Sequence, residues 1–186
     1  MTPLRSRYGG GMRWLGRTAA AVAVAGTAWF GLGGVPPLND AARIARIDSM
    51  YADYRREFPG VPEIDAPTLR DALARGAPLV LVDVREPAER AVSTLPGAIP
   101  AAAVEADPAA YAGKTLVAYC TIGYRSGLWA STQRDHGLSV ENLAGSILAW
   151  THAGGALIGP DGAPTRRVHV YGSGWDLARI DYTAVW

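Results

Sequence analysis

"TLVAYCTIGYRSG", residues 115–127, joins a short apolar run to a helix-like segment through a small loop. A run of this kind is typical of a strand that is covered on both faces of a sheet. A second apolar run, "LVLVDV" at 79–84, occurs earlier, and strand-like and helix-like segments alternate between the two and beyond them. This alternation predicts an α/β fold with a small, mostly parallel sheet that is flanked by helices on both faces.

The composition predicts one globular domain with extensions. The chain has 186 residues with 18 basic and 17 acidic side chains, for a net charge of +1. This balance, without long runs of one sign in the body of the chain, predicts no nucleic-acid partner. We divide the chain into a basic leader with a membrane anchor or signal segment (1–38), a linker helix (39–62), an α/β domain (63–158) and an aromatic C-terminal extension (159–186).

The N-terminal segment combines a basic flank with an apolar stretch. Four arginines precede a charge-free run from Thr18 to Asn39, and no acidic residue occurs before Asp40. As a helix, residues 18–35 would span about 27 Å, slightly less than the roughly 30 Å of a bilayer core. We predict an uncleaved membrane anchor with the domain on the exported, periplasmic or extracytoplasmic side, since arginines stay in the cytoplasm. A cleaved signal that releases a secreted domain and a buried helix of a cytosolic protein are the alternatives.

The C-terminal extension is rich in aromatic side chains, among them Tyr171, Trp175, Tyr182 and Trp186. Aromatic residues in a tail more often pack against their own domain than bind a ligand, and we predict such packing. An exposed patch that contacts a partner is the alternative.

Cys120 is the single cysteine of the chain. A lone cysteine is usually a small buried hydrophobe, and it excludes an intrachain disulfide. The three histidines show no zinc-binding spacing, so the sequence predicts no metal site. The position of Cys120 nevertheless favours reactivity, because open α/β sheets bind ligands at the loops that follow the carboxyl ends of their strands.

The loop after Cys120 has the residues that an anionic sulfur needs. Gly123 permits a positive φ, so that successive backbone amides point toward one centre. A helix that begins near Arg125 or Ser126 adds free N–H groups and the positive end of its dipole. Arg125 adds a fixed positive charge at the rim. We therefore predict that the pKa of the thiol lies below the free value of about 8.5 and that Cys120 is largely a thiolate at neutral pH.

Four short motifs then follow one another in register along the chain. They are "DVREPAE" at 83–89, "LPGAIP" at 95–100, "CTIGYRSG" at 120–127 and "NLAGSILAW" at 142–150. Together they resemble a single rhodanese domain, the sulfurtransferase fold, over residues 63–158. One departure is Ser93-Thr94, where many members carry Gly-His before the turn. In the family that position serves structure more than chemistry, so catalysis should survive the change.

The resemblance implies a reaction and a site. Cys120 would be the nucleophile and would carry a persulfide, and the substrate-binding loop would consist of Thr121, Ile122, Gly123, Tyr124, Arg125 and Ser126. Asp83 and Arg85 match the family's Asp-x-Arg and would brace this loop rather than touch substrate. The expected reaction is ping-pong transfer of sulfane sulfur from a small anion such as thiosulfate to a thiol or cyanide, and it needs no cofactor.

Two other functions remain open. Cysteine phosphatases and arsenate reductases place an arginine after a loop of pattern Cys-x5-Arg, whereas four residues separate Cys120 from Arg125. A loop with one residue fewer encloses a smaller space, which suits one sulfur atom better than a phosphoryl group. A membrane-tethered binding module would keep the fold without catalysis and recruit a partner through its tail or N-terminal helix. Such modules typically lose the cysteine or the loop glycine, and because this chain keeps both we favour the enzyme.

Overall fold

A computed structural model describes residues 38–186 of the chain. Within that range no helix has both the length and the apolar character needed to cross a bilayer. The predicted membrane anchor or signal segment, residues 18–35 of the leader, lies outside the described residues.

The described residues form six α-helices, nine strands and three short 3₁₀ turns. The helices are α1 (Asp40–Tyr54), α2 (Ala66–Ala74), α3 (Pro87–Arg90), α4 (Ala101–Ala106), α5 (Tyr124–Asp135) and α6 (Ser146–His152). The strands are β1 (Glu63–Ile64), β2 (Leu79–Asp83), β3 (Ile99–Pro100), β4 (Thr115–Tyr119), β5 (Ser139–Leu143), β6 (Leu157–Ile158), β7 (Pro164–Thr165), β8 (Arg167–His169) and β9 (Thr183–Val185). The 3₁₀ turns are Arg55–Glu57, Pro108–Tyr111 and Ser173–Trp175.

The central sheet has the strand order β1-β5-β4-β2-β3, and every pair in it is parallel. The apolar runs predicted as strands are β2 and β4, which pair from Leu79 opposite Thr115 to Asp83 opposite Tyr119. The α/β class with a parallel sheet flanked by helices is thereby confirmed. Because β4 is the middle strand, the loop that follows it emerges at the centre of the sheet's carboxyl edge.

Two helix starts follow from side-chain caps that are visible in the sequence. The Asn39 side chain accepts a hydrogen bond from the amide of Ala42 at 2.9 Å and caps α1. The Asp65 carboxylate accepts one from the amide of Thr68 at 2.8 Å and caps α2. Each bond satisfies an amide that the first turn of a helix leaves without a partner.

The core lies on both faces of the sheet and draws in both flanking segments. Helix α1 buries Ile47 and Tyr51, so the segment predicted as a linker helix is packed into the fold. The C-terminal extension buries Val168, Val170 and Leu177 in the same core as Ile47. Burying one side chain of this size contributes about 1.5–3 kcal/mol, so each segment is held firmly in place.

Candidate active site

Cys120 follows the last residue of β4, at the point where the chain leaves the centre of the sheet. Three further residues make the loop, and α5 begins at Tyr124, one residue before the start that the sequence predicts. The Cys120 carbonyl accepts a hydrogen bond from the amide of Ile147, and the Thr121 carbonyl accepts one from the amide of Leu148, each at 3.2 Å. Because these two carbonyls point toward α6, the peptide N–H groups of the loop can face the thiol.

Gly123 is the turning point of the loop. Its φ is +106°, and a Cβ atom at this position would lie 2.6 Å from a ring carbon of Tyr51. Both the conformation and the space therefore require glycine. In this arrangement the Gly123 amide donates to Cys120 Sγ at 3.2 Å, and it is one of the inward-pointing amides that the sequence predicts around the thiol.

The surroundings of Cys120 favour the thiolate, although the residue is only 2 % exposed. Burial alone would raise the pKa of the thiol, but hydrogen bonds from the Ser126 hydroxyl and amide, the charge of Arg125 and the Gly123 amide together hold the pKa below its ordinary value. The Ser126 hydroxyl also donates to Asn142 Oδ1 at 2.7 Å. A hydroxyl has one proton, so the Ser126 hydroxyl cannot donate to Asn142 and to the sulfur at the same time. The stabilisation of the thiolate by the Ser126 and Gly123 amides and by Arg125 does not depend on that proton.

Arg125 is held by a carboxylate that the sequence analysis did not identify. Its guanidinium donates to both oxygens of Glu89, at 2.7 and 2.8 Å, and to the Thr121 hydroxyl at 3.2 Å. Burial alone would raise the pKa of Glu89, yet the paired Arg125 and the Glu86 amide hold it below the ordinary carboxyl value. The positive charge predicted at the rim is therefore matched by a negative one. The only signal in the sequence was the position of Glu89 at the end of the "DVREPAE" motif.

Asp83 and Arg85 form a buried ion pair beneath the loop rather than in the cavity above it. Arg85 Nε and Nη2 donate to the two carboxylate oxygens of Asp83 at 2.9 and 2.6 Å. The Tyr119 hydroxyl donates to Asp83 at 2.5 Å, and Arg85 also donates to the Ser93 carbonyl at 2.7 Å. The pair thus joins the ends of β2 and β4 immediately before Cys120, which is a bracing position.

The Ser93 hydroxyl donates to the Arg167 carbonyl at 2.7 Å. The position where this chain departs from the family's Gly-His therefore anchors the C-terminal extension.

Asn142, a buried polar residue of β5, is a second contributor that sequence reasoning missed. Its Nδ2 donates to the Gly123 carbonyl at 2.9 Å and to the Tyr51 hydroxyl at 3.0 Å, while its Oδ1 accepts from the Ser126 hydroxyl. One side chain thereby holds the loop, the first turn of α5 and α1 together. A polar residue within the otherwise apolar end of a buried strand was the signal that could have identified it.

Ser146 supports the loop from the start of α6. Its φ is +49°, in the left-handed region that non-glycine residues rarely adopt. Its hydroxyl accepts from the Cys120 amide at 3.0 Å and donates to the Leu143 carbonyl at 3.2 Å. The Cys120 backbone is thereby fixed on both its N–H and its carbonyl side.

A cavity of about 350 Å³ opens above the thiol. Its lining combines loop residues with aromatic rings: Cys120, Thr121, Ile122, Tyr124, Arg125, Tyr54, Tyr171 and Trp175. Of the predicted loop, Gly123 and Ser126 are absent from the lining and support it from behind. Tyr171 and Trp175 belong to the extension whose aromatic residues were predicted to pack, and Tyr54 was not predicted to take part.

Within residues 38–186, no cluster of histidine, cysteine, aspartate and glutamate side chains is arranged to hold a metal ion. A further cavity of about 330 Å³, bordered by Arg166, Arg179 and Tyr182, contains no cysteine or serine in its lining. Because Cys120 is the single cysteine of the sequence, the cavity above it is the one with a thiol at its base.

The chain is similar in sequence to one protein family and to several known proteins. A family model described as "Rhodanese-like domain" matches residues 65–153. A protein named sulfurtransferase, from Allochromatium vinosum, is 34% identical over 110 residues, which cover 55% of this chain and 99% of the relative. A tRNA uridine(34) hydroxylase from Bordetella parapertussis is 38% identical over 117 residues, or 58% of this chain and 48% of the relative. The chain thus spans about half the length of that relative.

Among solved structures, a thiosulfate sulfurtransferase from Pseudomonas aeruginosa superposes with a TM-score of 0.50 at 21% identity, over 69% of this chain and 25% of the other. At this level of identity the superposition shows a shared fold and carries no statement about substrates.

Proposed function

We propose, because the chain belongs to the rhodanese-like family, that it is a sulfurtransferase which carries sulfane sulfur as a persulfide on Cys120. The observation that carries the proposal is the thiol itself. It lies at the base of a cavity, and hydrogen bonds and a neighbouring guanidinium lower its pKa. The relative named sulfurtransferase, which this chain covers over 99% of its length, supports the same assignment.

The first half-reaction loads the enzyme. With thiosulfate as donor, the Cys120 thiolate attacks the outer sulfur, the S–S bond of thiosulfate breaks, and sulfite leaves with the bonding electron pair. The product is a Cys120 persulfide anion. The Gly123 amide, which already donates to Sγ, and the first turn of α5 are positioned to stabilise the sulfur that now carries the charge.

The second half-reaction unloads it. A thiophile such as cyanide or a thiolate attacks the terminal sulfur of the persulfide, forms thiocyanate or a new persulfide, and returns the electron pair to Cys120 as a thiolate. Because the chain has no second cysteine, the persulfide has no intramolecular thiol to close a disulfide with, and the sulfur passes to another molecule.

Intact mass spectrometry of the purified full chain, kept in detergent, tests the proposal. After exposure to thiosulfate we expect a gain of about 32 Da, the mass of one sulfur atom added in the persulfide step. The gain should be reversed by cyanide and absent in Cys120→Ser. The lack of any adduct with several sulfane donors would favour the non-catalytic binding module. Turnover of a chromogenic phosphate ester would favour a phosphatase.

A second candidate activity comes from the relatives named tRNA uridine(34) hydroxylase. The 38% identity to one of them favours it, while the balanced net charge of this chain and its coverage of about half of that relative do not. Nucleoside mass analysis of tRNA incubated with the full chain distinguishes the two activities. Gain of one oxygen on uridine 34 would support hydroxylation and contradict the prediction that the chain has no nucleic-acid partner.

The location of the domain remains a prediction that rests on residues 1–38. We propose that this segment anchors the chain in a membrane, with the domain on the exported side. Protease treatment of intact and permeabilised cells that express the full chain tests it. Digestion only after the inner membrane is permeabilised would contradict export, and recovery of a shortened, secreted chain would favour a cleaved signal.

A further inference from the structure

The cavity above Cys120 is walled by four aromatic rings from three distant parts of the chain. Tyr54 comes from α1, Tyr124 from the start of α5, and Tyr171 and Trp175 from the C-terminal extension. Their ring centroids form a continuous series, with 5.1 Å from Tyr54 to Tyr124, 6.4 Å from Tyr54 to Trp175 and 5.8 Å from Trp175 to Tyr171. The wall is therefore one surface rather than isolated contacts.

These rings are not explained by core packing alone. Tyr171 is 67% exposed and Tyr124 is 37% exposed, although the domain buries most of its other large apolar side chains. Aromatic faces that stay open around a concave space directly above a nucleophile are typical of a ligand site. A cavity of about 350 Å³ also falls within the range of pockets that hold organic ligands, about 300–1,000 Å³.

The charge of the cavity does not favour a small inorganic dianion. Arg125 is the one cationic residue in the lining, and Glu89 neutralises it through two hydrogen bonds. The Glu89 side chain is only 6% exposed, so water screens this pairing weakly. Thiosulfate would meet no unpaired cation and would leave the aromatic wall without contacts.

We infer that the sulfur donor is an organic sulfane-sulfur compound with a flat apolar group, which stacks on the rings of Tyr54, Tyr124, Tyr171 and Trp175. This inference rests on the proposed sulfur transfer and names its donor class. With a persulfide donor R–S–SH, the Cys120 thiolate attacks the outer sulfur and R–S⁻ leaves with the electron pair. With a thiosulfonate donor R–SO₂–S⁻, the sulfinate R–SO₂⁻ leaves in the same way.

Two thiosulfonates that differ only in R provide the test. Benzenethiosulfonate and methanethiosulfonate are both monoanions with the same reacting group, and cyanide serves as acceptor. We expect kcat/KM of the full chain, divided by the uncatalysed rate of each donor, to favour the benzene compound about tenfold, the effect of one or two good aromatic contacts. Tyr171→Ala and Trp175→Ala should each bring this ratio close to one.

Trp186→Ala is the matched control, since this exposed tryptophan of the same extension does not line the cavity and should leave the ratio unchanged. Because Tyr171 is largely exposed, its replacement keeps the test valid even if Trp175→Ala perturbs the fold. If the wild type transfers sulfur from both thiosulfonates with a ratio near one, the proposed donor class is overturned while the proposed function stands. The donor class is also overturned if neither Tyr171→Ala nor Trp175→Ala changes the ratio. Failure of every donor to load Cys120 would overturn the proposed function and this inference together.

Discussion

Replacing Glu89 by glutamine would keep the size of the side chain and remove the negative charge that faces Arg125. In the wild type this carboxylate accepts two hydrogen bonds from Arg125, one from the Glu86 amide and one from the Thr121 hydroxyl at 3.3 Å. The amide of glutamine accepts from one guanidinium nitrogen but turns a donor toward the other. Arg125 is then freer to attract an anion in the cavity.

The size of the effect follows from the charges. At the dielectric constant of water, a dianion about 8 Å beyond the carboxylate is repelled by about 1 kcal/mol, and because Glu89 is largely buried this value is the lower limit of the repulsion. Removing that repulsion lowers the KM for thiosulfate at least about fivefold. Removing a negative charge near Cys120 also lowers the pKa of the thiol further, so thiolate alkylation extends to lower pH. The lost charge-assisted bond costs about 1.5–3 kcal/mol of stability, and we expect the lower end because Arg125, with its side chain 31% exposed, is hydrated in exchange.

Thiosulfate kinetics with cyanide, alkylation rates against pH and urea unfolding measure the three effects. The pKa of Glu89 is lower in the folded state, so its stabilisation is present above the ordinary carboxyl pKa and is lost as the pH falls through the folded value. The stability difference between wild type and variant should therefore shrink in acid. Asp135→Asn, at the exposed far end of α5, is the control for removal of one charge and should leave the KM unchanged. A folded Glu89→Gln protein with an unchanged or higher KM for thiosulfate would refute the reasoning that Glu89 neutralises the charge of Arg125.

Three further perturbations probe the loop and its support. The rate of Cys120 alkylation by iodoacetamide should fall with decreasing pH at an inflection below the ordinary thiol pKa, and Ser126→Ala should move that inflection to higher pH; an inflection at or above the ordinary value would contradict the cradle. In urea unfolding, Gly123→Ala should lower the free energy of unfolding by about 2–5 kcal/mol, because the alanine is strained at a positive φ and overlaps with a ring of α1. Gly76→Ala has the same strain but open space around it, and should lower the free energy of unfolding by only about 1–2 kcal/mol. Equal losses would show that the overlap at position 123 is relieved. Arg85→Met leaves a buried carboxylate unpaired and should lower the free energy of unfolding by about 3–5 kcal/mol, and a loss below 1 kcal/mol would show that the pair does not brace the loop.

The local features of this protein follow from the sequence because each depends on neighbours along the chain. The apolar runs that became β2 and β4, the caps Asn39 and Asp65, and the need for glycine at position 123 are properties of short segments and of backbone conformation. Periodicity and side-chain caps act over a few residues, so a reader of the sequence can evaluate them without coordinates. The position of Cys120 at the carboxyl edge of the sheet follows from the same alternation of strands and helices.

Contacts between distant segments were decided only by the tertiary structure. Glu89 and Arg125 are 36 positions apart, and nothing in either motif indicates that the carboxylate neutralises the guanidinium. Asn142 meets Tyr51 across 91 positions, and the tail brings Tyr171 over a thiol that lies far earlier in the chain. Such pairings depend on how helices and extensions close over the sheet, which side-chain patterns within one segment do not encode. The candidate nucleophile could therefore be predicted from its own loop, whereas the charge balance and the aromatic wall of its cavity required the folded chain.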